Sequence, residues 1–351
     1  MPRPSLGIVV RRLLAIGWLS CPGAWPLPAH AADDMLLDDQ VVPAQFQQQK
    51  KPVAAKAAED PDDTFAYQGL TILQPGTSAG ATKKQAVAEL SLAALSPAAQ
   101  QKAQAILKGT SLYRRLPTIS FEVDRNVYAY FLKNPDVAVA SWRAMGISKL
   151  SLDTVAPQHY QADAGDGSKG TVEVWYSSPE DTLICCEGSF KSPLLAKPII
   201  ARSLMRLRAK FQKDADGRMI ATHTGDVFVE FPSQTVETVA KIISPVSHSI
   251  ADKNFKQLTF YAHMMTVAMA RQPGWVEAVA QRMKDIPEPK REEFLRLSAS
   301  RYIAARQREA AKNGQHLSLD DVLRPLRITS TSTDAAAPPR VAVQPAGATA
   351  K

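Results

Sequence analysis

The chain has 351 residues, of which 45% are hydrophobic, 22% are charged and 7% are aromatic. This composition provides enough apolar mass for a core, and it excludes a wholly disordered protein, a collagen-like fibre and a disulfide-dense miniprotein. The formal net charge is +8. A charge of this size is compatible with binding to nucleic acid, with an anionic membrane or with simple solubility, and it does not choose between them.

The first 31 residues have the features of a secretory signal peptide. Arg3, Arg11 and Arg12 form a basic start without acids, and the apolar run over 13–19 is too short to span a bilayer. The small-x-small sequence at Ala29–Ala31 is typical of a cleavage site. We therefore expect cleavage after Ala31 and export to the periplasm or the extracellular space.

A twin-arginine signal at Arg11-Arg12 and a lipoprotein signal at Cys21 are alternatives that the flanking residues fit less well. Removal of the signal peptide leaves a charge of +5 and two thiols, Cys185 and Cys186. No later apolar run reaches membrane-spanning length, so we expect a soluble or peripheral mature protein.

Both ends of the mature chain are biased in composition. Residues 32–81 form an acidic lead, with eight acids against three lysines within 32–63, and residues 329–351 form an Ala- and Pro-rich tail. We predict disorder for both, because such segments bury too little apolar area to offset their ordering entropy. The acidic lead leaves +10 on residues 64–351, so the basic charge belongs to the body of the protein.

The segments next to these ends are predicted to be helical. Residues 82–117 form a helical region in which Ser96-Pro97 begins a second helix and Gly109 ends it. Residues 273–328 contain C-terminal helices at about 275–284 and 289–312.

Residues 118–272 contain both strand and helix patterns. A short strand at 119–123 precedes two short helices, the first capped by Asp124 and the second ended by Gly146. Four strands follow between 149 and 190. A clear period of two over 204–213 and a turn at 214–217 then predict a hairpin, which returns as far as residue 231. A long helical stretch completes the segment, with Pro245 expected to kink the helix or to begin a second one.

This order resembles the START-like, or helix-grip, superfamily, which includes polyketide cyclases and lipid-transfer proteins. The resemblance covers residues 119–271 and rests on ISFEVDRNVYAYF, NPDVAVASWRAMG, the strands after them, and DVFVEF leading into PSQTVETVAKII. It implies an α+β fold in which a curved antiparallel sheet packs on a long C-terminal helix around an apolar cavity. The helices at both ends are additions to that pattern.

Seven large side chains on the expected inner faces are candidates for such a cavity: Trp142, Met145, Trp175, Met205, Phe211, Phe228 and His263. A closed apolar cavity of a few hundred Å3 would favour ligand binding. A solid interior would argue against it.

A basic strand carries the strongest local charge. Arg206, Arg208 and Lys210 share one face of it, and Arg202 precedes them. This row could bind an anionic membrane or envelope surface, could contact the acidic lead, or could be a solvated face of the sheet. Nucleic acid is not an expected partner, because the chain has no recognised binding motif.

No catalytic or metal-binding motif is recognised in the sequence. The histidines form neither an H-E-x-x-H pattern nor a zinc spacing with cysteine, and no P-loop is present. His248 and Asp252 lie four residues apart and could share a helix face. Cys185 and Cys186 would point to opposite faces of a strand. No cofactor or metal is predicted.

We therefore expect an exported, non-enzymatic protein that holds an apolar or amphipathic, lipid-like molecule under the long helix. The alternative is a structural or scaffolding envelope protein with a solid core and a basic face that binds partners. A cyclase or hydrolase using histidine and acids in the same cavity is a third class. Nothing in the sequence indicates the oligomeric state.

Overall fold

A computed structural model of the chain describes residues 67–190, 198–232, 245–319 and 321. These residues form an α+β protein with a large, open, antiparallel sheet, which confirms the predicted fold at that level. The predicted signal peptide, most of the predicted acidic lead and the predicted tail at 329–351 lie outside the described residues.

The described strands and helices alternate in groups along the chain. The strands are β1 (Leu70–Gln74), β2 (Leu112–Arg115), β3 (Thr118–Glu122), β4 (Ser151–Ala156), β5 (His159–Asp163), β6 (Ser168–Ser177), β7 (Asp181–Phe190), β8 (Ile199–Lys213) and β9 (Met219–Glu230). The helices are α1 (Gly80–Ala88), α2 (Pro97–Lys108), α3 (Arg125–Lys133), α4 (Pro135–Ala144), α5 (Pro245–Arg271), α6 (Pro273–Arg282) and α7 (Glu288–Lys312).

The sheet is antiparallel throughout, with the strand order β1-β3-β9-β8-β7-β6-β5-β4. β2 also pairs with β9, and it lies beyond β3 along the same edge of that strand. Leu116 and Pro117 separate β2 from β3. A proline in a strand donates no ladder hydrogen bond, which favours a break at this point. Leu116 nevertheless donates its backbone N–H to the carbonyl of Gly225 at 2.8 Å, so the two short strands act as one interrupted strand.

The β8–β9 hairpin confirms the clearest strand prediction. Its register runs without a shift from Arg202 opposite Glu230 to Lys213 opposite Met219. In the turn, a carboxylate oxygen of Asp214 accepts the backbone N–H of Arg218 at 2.8 Å. This hydrogen bond stabilises the turn that the Asp and Gly residues at 214–217 predict.

Several predicted helix boundaries are also confirmed. The hydroxyl of Ser96 accepts the backbone N–H of Ala99 at the start of α2, and Gly109 ends that helix. Asp124 caps α3 by accepting two backbone N–H groups. Pro245 is the first described residue of α5, and the predicted helical stretch before it, over 233–244, lies outside the described residues. Because caps and helix-starting prolines act within one turn, the local sequence is enough to predict them.

Two strands lie where the sequence predicts none. β1 falls within the predicted acidic lead, and β2 falls within the predicted helical region at 82–117. β1 is a mostly exposed edge strand, so it lacks the buried alternation that marks a half-buried strand. β2 has only four residues. Neither segment shows an alternation of apolar and polar residues that is long enough to predict a strand from the sequence.

The sheet is covered by helices on both faces. On one, the α2 face, α2 and the end of α1 cover a buried cluster that includes Ile106, Tyr113, Leu204 and Phe228. On the other, the α5 face, helices α3 to α7 enclose the larger cluster. Successive side chains of a strand point to opposite faces. Since helices cover both faces, odd- and even-numbered residues of the central strands are both buried.

The C-terminal helices extend the core of the α5 face. Phe294 of α7 is fully buried, and its ring centroid lies 6.2 Å from those of both Tyr130 and Phe131. Arg301 forms an ion pair with Asp124 at 3.1 Å. The bounds of α6 and α7 confirm the predicted helices at about 275–284 and 289–312 within two residues at either end.

Candidate functional site

A small apolar pocket lies between α5 and the sheet. Its cavity volume is about 70 Å3. The lining residues come from α3, α4, α5, β8 and β9 and the residues beside them: Tyr128, Phe131, Leu132, Ala138, Trp142, Met205, Leu207, His223, Phe255, Leu258, Tyr261 and Ala262. The described part of this lining contains no Lys, Arg, Asp or Glu, so it is suited to an uncharged group.

Helical and strand periodicity bring these side chains together. Phe255, Leu258 and Ala262 are spaced by three and four residues, so they share one face of α5. Met205 and Leu207 are two residues apart on β8 and therefore face the same side of the sheet. The pocket is the space between these two stripes.

His223 is the polar centre of the pocket. The hydroxyl of Thr259 donates to the carbonyl of Phe255 at 2.8 Å, so it accepts a hydrogen bond from Nε2 of His223 at 2.7 Å. Nδ1 of His223 then accepts from the hydroxyl of Tyr128, with 3.3 Å between the two atoms. The ring also stacks on Phe255 at 4.5 Å between centroids. These bonds assign the proton to Nε2.

Burial keeps this histidine neutral. It lowers the pKa of His223 to about 3 and raises the pKa of Tyr128 above its ordinary value. Both shifts follow from the cost of placing a charge in an apolar environment. At neutral pH the pocket therefore presents an uncharged imidazole and an uncharged phenol.

A second set of hydrogen bonds joins α4 to α5 beside the pocket, next to an indole donor that has no acceptor. Ser141 donates to the carbonyl of Ala138 at 2.7 Å, and the hydroxyl of Tyr261 donates to Ser141 at 2.7 Å. Trp142 stands edge-on to Tyr261, with 5.4 Å between ring centroids. The indole Nε1 of Trp142 is buried, and it has no hydrogen-bond acceptor among the described residues.

The structure brings together only some of the predicted cavity residues. Trp142 and Met205 line the pocket. Met145 lies at the end of α4 and is partly buried against the core. Phe211 lies farther along β8, beside Tyr128 at 5.5 Å between centroids. These positions belong to the α5 face but lie outside the pocket lining.

Three other candidates lie away from the pocket. Phe228 and Trp175 are on the α2 face, and Nε1 of Trp175 donates to Glu173 at 2.7 Å. Nδ1 of His263 donates to the carbonyl of Glu122 at 2.7 Å, a contact with the end of β3. Phe228 and Trp175 are predicted as large side chains on the inner face of the sheet, but burial on a covered second face produces the same sequence pattern.

Sequence reasoning missed most of the lining. Phe255, Leu258 and Ala262 could have been found from their spacing on the long helix. His223 carried no such signal, since it stands among threonines in β9 and alternates with them like any strand residue.

The two thiols are buried on opposite faces, as the strand pattern predicts. Cys185 belongs to the α2-face cluster and Cys186 to the α5-face cluster. Neither cysteine forms a disulfide, and burial raises the pKa of Cys185 to about 12. A thiol in this state is a poor nucleophile.

The predicted basic row is largely paired with acids. Arg206 donates to Asp181 at 2.6 Å, and Arg202 forms an ion pair with Glu187 at 3.3 Å. Lys210 is exposed, and the described residues offer it no ion pair. The row therefore does not present a free cationic surface. Its acidic partners are close in space but come from other segments of the chain, so the sequence of the strand alone does not reveal them.

The remaining arginine of the row, Arg208, joins a buried network on the α2 face. Asp226, which is 2% exposed, accepts from Tyr113 at 2.7 Å, from Arg115 at 2.8 Å and from Arg208 at 2.8 Å. Arg208 also donates to Glu89 at 2.7 Å, just after α1. The network ties the segment after α1 to the sheet.

No metal site or membrane span is found in the part of the chain that the structure describes. No group of three or more His, Cys, Asp or Glu residues there could hold a metal ion, and no helix there is both long and apolar enough to cross a membrane. Asp252 accepts from Nε of Arg114 at 2.9 Å, while Nε2 of His248 lies 3.4 Å from the hydroxyl of Ser78. His248 and Asp252, which lie four residues apart on α5, therefore contact different side chains.

Comparison with known proteins adds little. No protein-family model matches the chain, and no curated protein matches it. Among solved structures, the chain is similar to one described as a conserved protein from Geobacillus kaustophilus, with 14% identity over 40% of this chain and 93% of that chain. The TM-score is 0.24, so this likeness carries no argument about fold or function.

Proposed function

We propose that this protein is an exported, non-enzymatic binding protein that holds a small apolar or amphipathic molecule in the pocket beneath α5. We further propose that residues 119–271 adopt a helix-grip arrangement of the START-like type. The order of β3, two helices, six antiparallel strands and a long helix supports the second statement, as does the pairing of β3 with β9. Fold likeness alone is a weak guide to function.

The apolar pocket is the observation that carries the proposed function. Its volume of about 70 Å3 is roughly half that of an engineered cavity that binds benzene. It is also well below the roughly 300–1,000 Å3 of typical ligand pockets. The pocket therefore has room for a small group or for the short end of an acyl chain, and a whole lipid chain is too large for it. We accordingly restrict the expected lipid-like ligand to a small molecule or to the end of a chain.

The test combines ligand extraction with a variant that fills the pocket. Protein purified from its native source is extracted with organic solvent, and the extract is analysed by gas chromatography with mass spectrometry. Ala138 is buried on α4 and lines the pocket. We expect Ala138→Leu to occupy the cavity and to abolish the extracted ligand.

A matched control uses the other face of the sheet. Ala103 is a buried helical alanine of α2, remote from the pocket. Ala103→Leu is expected to keep the ligand, although overpacking lowers the free energy of unfolding by about 1–3 kcal/mol. An extract without any small molecule from the unaltered protein, or the same molecule from both variants, would count against the proposal.

A scaffolding role is the second candidate. Helices cover both faces of the sheet over two clusters of buried side chains, and the pocket beneath α5 has a volume of about 70 Å3. If the unaltered protein carries no ligand and Ala138→Leu only raises the melting temperature, the pocket is a packing defect and the scaffold role is the better account.

Export is proposed from the sequence of the first 31 residues. The test is N-terminal sequencing of the protein recovered from the envelope or the medium of its source. A mature start at Ala32 is expected, and recovery of the intact chain from the cytoplasm would contradict export.

A further inference from the structure

A serine in contact with a histidine lies between β1 and α1. Residues 76–80 read Gly-Thr-Ser-Ala-Gly, which matches the G-x-S-x-G pattern of serine nucleophiles. The pattern is short and frequent by chance, so the sequence alone does not single it out. Its structural context is informative, because Ser78 lies in the turn that leads from strand β1 into helix α1.

The turn that carries this serine is fixed by contacts with neighbouring elements. Thr77 and Arg115 exchange two backbone hydrogen bonds of 2.8 Å. A Cβ at Gly76 would lie 2.7 Å from atoms of both Arg114 and Asp252, so the backbone of the turn packs directly against that ion pair. The serine therefore has a defined position relative to β2 and α5.

A general base lies within reach of the serine hydroxyl. Nε2 of His248, near the described start of α5, is 3.4 Å from Oγ of Ser78. A serine nucleophile needs such a neighbour to take its proton, and this contact is often longer in the free protein than in a complex with substrate. Burial and the guanidinium of Arg114 hold the pKa of His248 below its ordinary value, although Asp252 has the opposite effect. The imidazole is therefore neutral at pH 7 and able to accept a proton.

Positive charge and backbone N–H groups also lie beside this hydroxyl. Nη1 of Arg114 is 3.5 Å from Oγ of Ser78, and Asp252 holds the same guanidinium by accepting from its Nε at 2.9 Å. Helix α1 begins at Gly80, two residues after the serine, and its N-cap residue Ala79 provides no side-chain hydrogen bond. A guanidinium and a helix N-terminus both stabilise negative charge that develops on a nearby oxygen.

The likeness to serine hydrolases is local. The sheet is antiparallel throughout, and Ser78 lacks the positive φ that marks a strained turn. The serine is exposed, and none of Ser78, Arg114, His248 and Asp252 lines the pocket beneath α5. An acyl group would therefore reach the serine from solvent, which favours a small ester as the substrate.

We infer that Ser78 is a nucleophile that hydrolyses small carboxylic esters, with His248 as its general base. Oγ of Ser78 attacks the carbonyl carbon of the ester while Nε2 of His248 takes the hydroxyl proton. The bond from the carbonyl carbon to the alcohol oxygen then breaks, and the alcohol leaves with that proton. Water attacks the acyl-serine, again with His248 as base, which releases the carboxylic acid and returns a proton to Oγ.

This inference goes beyond the proposed function, because it concerns a site outside the pocket beneath α5. The binding function does not depend on it, and it does not depend on the binding function. If it holds, the term non-enzymatic describes the pocket alone.

The experiment treats the full mature protein with a fluorophosphonate, which phosphonylates activated serines. Peptide mass spectrometry locates the adduct, and we expect it on Ser78. Hydrolysis of p-nitrophenyl acetate is followed in parallel by the release of p-nitrophenolate. Ser78→Ala should abolish the adduct and the hydrolysis. Ser96→Ala is the matched control, because Ser96 is another exposed serine at the start of a helix, and it should leave both signals unchanged.

A pair of histidine variants tests the base. His248→Gln keeps a polar side chain that cannot take a proton, so the rates of labelling and of hydrolysis should fall by about 100-fold or more. His159→Gln is the control, because His159 is exposed and its Nδ1 contacts the carbonyl of Pro157. In the unaltered protein, the labelling rate should be constant above pH 7 and should fall in acid as His248 gains a proton.

A thiol in place of the hydroxyl gives a readout that does not require turnover. Ser78→Cys puts a thiol beside the same imidazole, and Cys185 and Cys186 are buried. At pH 7 the introduced thiol should react with iodoacetamide at least about 10-fold faster than in the double variant Ser78→Cys/His248→Gln, because the imidazole withdraws the thiol proton. Circular dichroism of both variants confirms that they fold.

The outcomes separate the inference from the proposed function. The absence of an adduct on Ser78, ester hydrolysis that persists in Ser78→Ala, or equal thiol reactivity with and without the imidazole overturns the inference. None of these results bears on the pocket, which the ligand extraction tests. If the extraction yields no ligand while Ser78 is labelled, the binding function fails and the inference stands. Because the labelling uses the unaltered protein, it does not depend on the folding of a variant.

Discussion

Acid is expected to weaken the folded protein through one buried side chain, His223. Its ring lies between Phe121 and Phe255, with centroids 4.8 Å and 4.5 Å away, and its Nε2 hydrogen bonds to Thr259. A proton on Nδ1 would place an ion in this apolar site and would remove the acceptor for Tyr128. The folded protein therefore holds His223 neutral.

The size of the effect follows from the lowered pKa. The pKa of His223 falls from 6.5 to about 3 because of burial, and each unit corresponds to about 1.4 kcal/mol. Since the unfolded chain takes up the proton first, the stabilising contribution is complete above pH 6.5 and is lost as the pH falls towards 3. The expected loss is about 2 kcal/mol by pH 5, a large part of a typical free energy of unfolding of roughly 5–15 kcal/mol.

Urea unfolding at pH 7 and pH 5, followed by circular dichroism, measures this loss. His223→Gln removes the titrating group but keeps a side-chain amide, so its free energy of unfolding should fall by about 2 kcal/mol less than that of the unaltered protein between the two pH values. His248→Gln is the control, because His248 is only partly buried and should account for a smaller share. An equal pH dependence in the unaltered protein and His223→Gln would refute the reasoning.

Three further predictions concern the strands. Asp226→Asn should lower the free energy of unfolding by about 3–5 kcal/mol in urea titrations, because it breaks ion pairs around a buried carboxylate; a change below 1 kcal/mol would contradict the network's role. Gly170→Ala should cost about 1–3 kcal/mol, since a Cβ there would lie 2.5 Å from a backbone oxygen of β7; an unchanged urea midpoint would show that the strands can separate locally. Cys185 and Cys186 should not react with Ellman's reagent in the folded protein and should both react in urea, because both are buried; rapid labelling of the native state would show that the sheet opens.

Local patterns were sufficient wherever the physical cause lies within a few residues. The β8–β9 hairpin is encoded by its period of two and by the acids and glycine of its turn, and the cap residues Ser96 and Asp124 act within one helical turn. Strands β4 to β7 and the C-terminal helices were predictable for the same reason. β1 was not, because an exposed edge strand carries no burial pattern of its own.

The candidate site depended on tertiary structure at each step. The period of two shows that Met205 and Leu204 face opposite sides, but only the folded chain shows that both sides are covered. Large strand residues could therefore be chosen correctly as buried and still belong to the wrong face, as with Phe228. The basic row likewise needed acids from distant segments, such as Glu89, before its charge could be interpreted.

The amino-acid sequence by itself determined the fold class, the order of most elements and the alternation of the strands, because periodicity and turn chemistry are local. Tertiary structure decided which face each buried side chain occupies, which charges pair, and where the pocket with His223 and Trp142 lies. These features depend on contacts between residues far apart in the chain, such as His223 with Thr259 and Trp142 with Tyr261. No local pattern records such contacts.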